Sequence, residues 1–423
     1  LAHREEWADD FLAEMNELLG VEDDSLDEHE IEHEESVEIM ADIIEEMKKA
    51  SGMKIEKAAE PYIDEKGDSL LAVSEEERRK ALVEYGLPKN IAKMKAAMEK
   101  YRIDYNTWFS ELSLHNGGEL EETIKILKKN GYTYEKEGAL WYKNIEVQTA
   151  ILKREGKSDE DIEKLELKDD VLIRQNGNPT YFAADIAYHR NKLEKRGFDT
   201  AIDVWGADHH GHVARMKGAM EAVGIDGNRL HVVLMQLVNL MKDGKPVKMS
   251  KRTGKAITLV DLLDEVPIDA VRFLFNMREP GSQMDFDLDL AVEQSSQNPV
   301  YYCQYANARI HSILRKVEAD GVTVRDCTKD ELKLLTAPEE IELIRHLASL
   351  TDEIVNSAKN YDPAKITRYC IDLATLFHKF YNACRVAVED EALMQARLYL
   401  CTCVMNVITN ILTTFSISTP ESM

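Results

Sequence analysis

Strand-like and helical runs alternate between Val171 and Glu265, and that alternation limits this region to an α/β fold with a parallel sheet. Val171–Arg174 reads as a strand, and Tyr181–Lys195 has helical spacing with Gly197 as its stop. Ala201–Trp205 reads as a buried strand. His212–Val223 reads as a helix closed by Gly224, and Val232–Met241 as the next strand. From about Asn298 the pattern turns all-helical. Ile366, Cys370, Leu373, Phe377 and Phe380 recur at spacings of 4, 3, 4 and 3, an apolar stripe for helix packing. Pro338-Glu339-Glu340 after Thr336 is a helix start, with acids set against the dipole. Pattern alone specifies a helical bundle there.

The run Lys248-Met249-Ser250-Lys251-Arg252-Thr253-Gly254 follows a hairpin signal, Asp243-Gly244, with Lys245–Val247 as the return strand. Two ammonium groups and a hydroxyl on one projecting loop suit a clamp for a polyphosphate, since lysine acts on phosphate as a point charge. Gly254 supplies a hinge, and Met249 reads as an apolar anchor. A solvated basic turn is the plainer reading of such a run taken alone.

Composition sets outer bounds. A chain of 423 residues holds two to four domains. No apolar run is expected to reach the ~20 residues of a membrane span. The acids and arginine near the start argue against a leader peptide. Six cysteines, Cys303, Cys327, Cys370, Cys384, Cys401 and Cys403, fall in the last third without Cys-x-x-Cys spacing. Reduced thiols in a cytoplasmic protein are the expectation, with no zinc site. The net charge of −25 argues against a nucleic-acid partner, but its distribution does not. Residues 1–50 carry 19 acids and 3 Lys/Arg, leaving 59 acids against 50 bases elsewhere. Nucleic-acid affinity follows local basic surface, so a shaped site is compatible with this balance.

Residues 1–60 read as an acidic helical segment of no evident role, with Glu22–Glu35 as a self-repelling run. Residues 75–100 read as helices broken at Gly86-Leu87-Pro88. Across 101–170, the aromatic clusters Trp108-Phe109, Tyr132–Tyr134 and Leu140–Tyr142 beside Gly turns read as short strands.

From about Asp64 onward the chain resembles arginyl-tRNA synthetases, a class I aminoacyl-tRNA synthetase family. The resemblance is carried by SEEERRKALVEYGLPKN from Ser74, NGNPTYFAADIAYH from Asn176, VWGADHHGHVARMKGAMEAVG from Val204, the long block from Val247, and the closing STPESM. It implies a Rossmann-type catalytic domain over 61–297. Within it, a connective insertion lies near 100–170 and the lysine loop at 248–251. A helical anticodon-binding domain follows over 298–423. The family's first nucleotide signature, His-x-Gly-His, has no counterpart before Asp64. His209-His210-Gly211-His212 imitates it but lies only 39 positions before Lys248, so it belongs to the second half of the nucleotide-binding fold.

Tyr181 and Asp185 are four apart on one helical face. A carboxylate on a cleft wall can accept the fork of a guanidinium, and a tyrosine adds a π face. Core packing and a surface acid are the plainer roles. The resemblance assigns both residues to arginine. The block from Gly206 to His212 follows a strand and opens a helix, where parallel sheets bind ligands and helix N-termini favour phosphate. Gly206 would admit close backbone approach. By resemblance, Asp208, His209 and His212 contact ATP, with His209 also at arginine. Helix capping and packing are the alternative, and a metal role is not adopted. Lys248 and Lys251 are assigned to pyrophosphate and Ser250 to phosphate. Tyr305 and Arg309, also four apart, suit an unstacked tRNA base. Interdomain packing with a salt bridge is the competing reading.

The sequence therefore points to an arginine–tRNA ligase using ATP with Mg²⁺, arginine and tRNA, cytoplasmic, monomeric and without membrane contact. A non-catalytic tRNA-binding fragment or paralogue is the alternative, because half a nucleotide site cannot align ATP. A synthetase for another amino acid is disfavoured by Tyr181 and Asp185.

Overall fold

A computed structural model describes residues 69–70, 73–247 and 257–423. The acidic segment 1–60 and the lysine loop Lys248–Gly254 lie outside these described residues. The chain divides into two compact units, Leu1–Lys95 and Ala96–Met423.

Helix α1, Glu75–Lys100, opens with three glutamates in its first turn and runs unbroken through Pro88. The expected break at Gly86–Pro88 is absent. Pro88 is exposed, so the lost backbone bond falls where water replaces it, and the Lys, Ala and Met residues that follow are good helix formers.

In the second unit, α2 (Glu119–Lys129) precedes a hairpin of β1 (Thr133–Lys136) and β2 (Ala139–Tyr142). The hairpin turns at Glu137-Gly138, both with positive φ. Two of the three aromatic clusters thus form strands, while Trp108-Phe109 lies in irregular chain. Helix α3 is Asn144–Arg154. Strand β3, Asp170–Ile173, pairs antiparallel with β2. This corrects the reading of Val171–Arg174 as the first strand of the parallel sheet: periodicity marks a strand but not its partner.

Helix α4 (Tyr181–Arg190) leads through a π-turn, Asn191–Lys195, into β4 (Ala201–Gly206). Helix α5 (His210–Val223) then returns the chain to β5 (Leu230–Met235). Strands β4 and β5 pair in parallel along their whole length, from Ala201↔Leu230 to Gly206↔Met235. Strand β4 was expected to be buried. Ala201 is, but Ile202 and Val204 are 52% and 61% exposed, because the pleat turns them away from the core.

The run Val232–Met241 is two strands. After β5 the chain crosses at Gln236, whose amide donates to the Pro280 carbonyl, and β6 (Val238–Lys242) joins another sheet. There β6 pairs in parallel with β8 (Met284–Asp287) and antiparallel with β7 (Lys245–Pro246). The hairpin expected at Asp243-Gly244 is present. Asp243 and Gly244 both have positive φ, as a two-residue primed turn requires. Parallel pairing is present, then, in two pieces.

Helices α6 (Leu259–Glu265) and α7 (Ile268–Phe275) follow the lysine loop. Beyond β8 the chain is helical: α8 (Pro299–Ala319), α9 (Pro338–Ala348), α10 (Leu350–Asn360), α11 (Ala364–Ala383) and α12 (Glu391–Thr414). Along α11, Cys370, Leu373, Phe377 and Phe380 are fully buried, as their spacing requires. By length and composition α12 could cross a membrane, contrary to expectation. It is poor in charge because it packs in the helical core, with Ala396, Leu398, Cys401, Val404 and Ile408 all at 0% exposure. All six cysteines are unpaired.

Two apolar cores hold this unit. One gathers residues between Leu114 and Leu230 around Tyr142, Ile186 and Met216. The other runs from Leu262 to Ile417 and joins α7 and β8 to the helical bundle. In the first, Gly218 brings α5 against α3: a Cβ there would stand 2.3 Å from Gln148 Nε2, which donates to the Ala214 carbonyl.

Candidate active site

Two local structures aim side chains at one place. Thr180 caps α4, its hydroxyl accepting from the Ala183 amide while donating to the Val171 carbonyl. That fixes the first turn of α4, and Tyr181 projects from it, 73% exposed. Asp185 follows one turn later on the same face. From the other side, β4 ends at Gly206, a 3-10 turn spans Ala207–His209, and α5 begins at His210. A cavity of about 760 Å³ lies between them. Tyr181, Asp185, Asp208, His209 and His212 all line it. The structure brings together every expected arginine and nucleotide residue that it describes, save Gly206.

Gly206 stands at the strand end in extended conformation. A Cβ there would come 2.4 Å from Asp208 Oδ1, so its small size accommodates the protein's own carboxylate. Asp208 caps no helix. It is 81% exposed, with His209 at 3.6 Å. Lys248, Ser250 and Lys251 follow the β6–β7 hairpin in sequence and lie outside the described residues.

The cavity wall contains charged groups that the sequence did not single out. Nε2 of His189 meets Asp203 Oδ2 at 2.5 Å, and Nδ1 meets the Asp185 carbonyl at 2.7 Å. Lys192 adds a third contact to Asp203 at 2.7 Å. Burial alone pushes the Asp203 carboxyl up, but His189 and Lys192 together hold it below the usual carboxylate range. On α5, Arg215 donates to Asp170 at 2.6 Å and to His212 Nδ1 at 3.0 Å. Burial pushes the Asp170 carboxyl up in spite of Arg215. His212 Nε2 stands 3.5 Å from Asp185 Oδ2, the one ion partner of Asp185 among the described residues. Asp203 and Asp170 are thus closely paired within the protein, whereas Asp185 and Asp208 face the cavity with little compensation. Helical spacing was the available signal: His189 lies four after Asp185, and Arg215 three after His212.

Tyr305 and Arg309 are elsewhere, on α8. The Arg309 guanidinium lies 5.0 Å from the Tyr305 ring and 4.7 Å from the Tyr381 ring. They border a cavity of about 390 Å³ with Tyr301, Tyr302 and His378. The Tyr301 and Tyr305 rings are stacked nearly parallel, 5° apart with centroids at 6.5 Å. Both ring nitrogens of His378 are buried without a partner, and burial, with Arg309 nearby, lowers its pKa to about 4. Arg309 is held by aromatic faces in place of the salt bridge envisaged from sequence.

Residues 89–311 match the family model for class I (R) tRNA synthetase catalytic domains. The chain belongs to the class I (R) tRNA synthetase family. Residues 303–423 match the DALR anticodon binding domain, the C-terminal module expected of such a synthetase. The synthetase chain is similar to the arginine–tRNA ligase of Ruminiclostridium cellulolyticum, 50% identical over 372 residues, covering 88% of this chain and 63% of the relative. The corresponding ligase of Acetivibrio thermocellus is 52% identical over 362 residues, 86% of this chain and 61% of that one. The chain thus spans about three-fifths of the length of the curated relatives it matches. A Campylobacter jejuni structure assigned as an arginyl tRNA synthetase superposes with a TM-score of 0.72 at 30% identity, covering 97% of this chain and 80% of its own. The Thermus thermophilus arginyl-tRNA synthetase shares the fold, at TM-score 0.67 and 21% identity, with 82% and 66% covered.

Proposed function

We propose that this synthetase chain carries the arginine-reading and part of the nucleotide-reading machinery of an arginine–tRNA ligase. The observation that supports this best is the shared cavity. Tyr181 and Asp185 enter it from α4, while Asp208, His209 and His212 enter it from the β4–α5 turn. A carboxylate with little compensation beside a tyrosine face is a receptor for a guanidinium. The carboxyl end of a parallel strand and the N-terminus of α5 suit the α-phosphate of ATP.

In this reading arginine lies with its guanidinium on Asp185 and its carboxylate toward the phosphates. The carboxylate attacks the α-phosphorus in line, pyrophosphate leaves, and the adenylate then passes its acyl group to the terminal ribose of tRNA. The step calls for alignment and charge neutralisation, with Mg²⁺ arriving on the ATP. Lys248 and Lys251, with Ser250, take the role of meeting the departing pyrophosphate. Tyr305 and Arg309 offer tRNA a stacking face and a cation. A charging assay with ATP, labelled arginine and tRNA tests the reading. Incorporation of arginine is the expected result, and tRNA binding without any charging would favour the non-catalytic alternative.

A further inference from the structure

The contact between Arg215 and His212 carries information beyond packing. A guanidinium has donors only. Its Nη2 lies 3.0 Å from His212 Nδ1, so that nitrogen supplies the lone pair and the ring proton sits on Nε2. Arg215 cannot readily turn away, because Asp170 holds its other arm at 2.6 Å. Nor is the ring loose. It lies against Phe182 and Trp205, at 5.6 and 5.4 Å between centroids. Nε2 therefore faces Asp185 Oδ2 as a donor, at 3.5 Å. The other charged groups of the cavity wall are occupied elsewhere: His189 and Lys192 on Asp203, and Asp208 beside His209.

We propose that Arg215 is a positioning residue: by fixing His212 as its Nε2–H tautomer, it makes that ring a donor that steers the Asp185 carboxylate toward an incoming guanidinium. The inference rests on the reading of Asp185 as the arginine receptor. With the opposite tautomer, a lone pair would face the carboxylate at the same distance. Repulsion would then turn Asp185 away from the cavity, although Asp185 and His212 themselves were unchanged. A structural prop for α5 would not depend on which nitrogen carries the proton.

The test is nitrogen-15 NMR of histidine-labelled full chain near neutral pH, with the His212 signals assigned by His212→Gln, alongside calorimetry with L-arginine. The intact chain should show His212 as Nε2–H. Arg215→Met should give mixed tautomers and about tenfold weaker L-arginine binding. Adding His212→Gln to Arg215→Met should recover most of that loss, since an amide at the Nε2 position donates without a tautomer choice. An Nδ1–H signal in the intact chain overturns the proposal without need of a variant. So does an L-arginine affinity that Arg215→Met leaves unchanged. If Asp185→Asn binds L-arginine as the intact chain does, the reading of Asp185 itself fails, whatever the tautomer.

Discussion

At the residue scale, two partly buried ionisable groups, His378 and Asp203, are held below their ordinary range, and each makes a prediction. His378 is lowered to about 4 by burial, with Arg309 nearby, and has no hydrogen-bond partner. Its unfolded value is about 6.5. The unfolded chain therefore binds the extra proton between these values. The stabilising preference for neutral His378 is complete above about pH 6.5 and lost as pH falls toward 4. Urea unfolding should show up to about 3 kcal/mol of pH-dependent loss across that window, less whatever solvent exposure screens. His378→Phe should flatten that part of the profile. An equally steep profile in the variant would assign the loss to other groups. Asp203 works in the same direction at lower pH. Its lowered pKa contributes stability that is present above its unfolded value near 3.9 and lost as pH falls through the native one.

At the element scale, the site is held by how closely α3, α4 and α5 approach. Gly218 has no room for a methyl beside Gln148, whose buried amide is committed to Ala214. Gly218→Ala should destabilise the domain by about 1–3 kcal/mol, the usual cost of overpacking, measured by chemical denaturation. No loss would mean that α3 and α5 can separate freely. On α8, Arg309 is stacked on tyrosines, and the proposed function sets it against tRNA phosphate. Arg309→Ala should weaken tRNA binding and lower its salt slope by about one unit. An unchanged slope would show that the guanidinium meets no phosphate. These elements also mark what the sequence could and could not reveal. The β6–β7 hairpin was readable because Asp243-Gly244 permits few other conformations. The α11 stripe was readable because its apolar spacing admits one buried face. Strand partners were not readable. Nothing local in Val171–Ile173 distinguishes antiparallel from parallel pairing, and the apolar run Val232–Met241 hides a change of sheet at Gln236. The cavity's Asp203–His189–Lys192 and Asp170–Arg215–His212 sets were missed because each assembles residues from separate elements.

At the scale of the whole molecule, the account says that a charge-reading pocket on α4 and a phosphate-facing turn after β4 serve a single reaction. Family membership and fold supply the frame. The finer part of the proposal is electrostatic: Asp185 would choose its ligand by charge, as a carboxylate whose one ion partner among the described residues is His212 at 3.5 Å. The most direct test compares L-arginine with L-citrulline, a neutral analogue of nearly the same shape, in equilibrium binding to the intact chain and to Asp185→Asn. The account predicts that the intact chain prefers arginine by about 2–4 kcal/mol, the scale of a broken desolvated charge pair, and that the variant loses the preference. Equal binding of the two by the intact chain, or a preference that survives in Asp185→Asn, would contradict it.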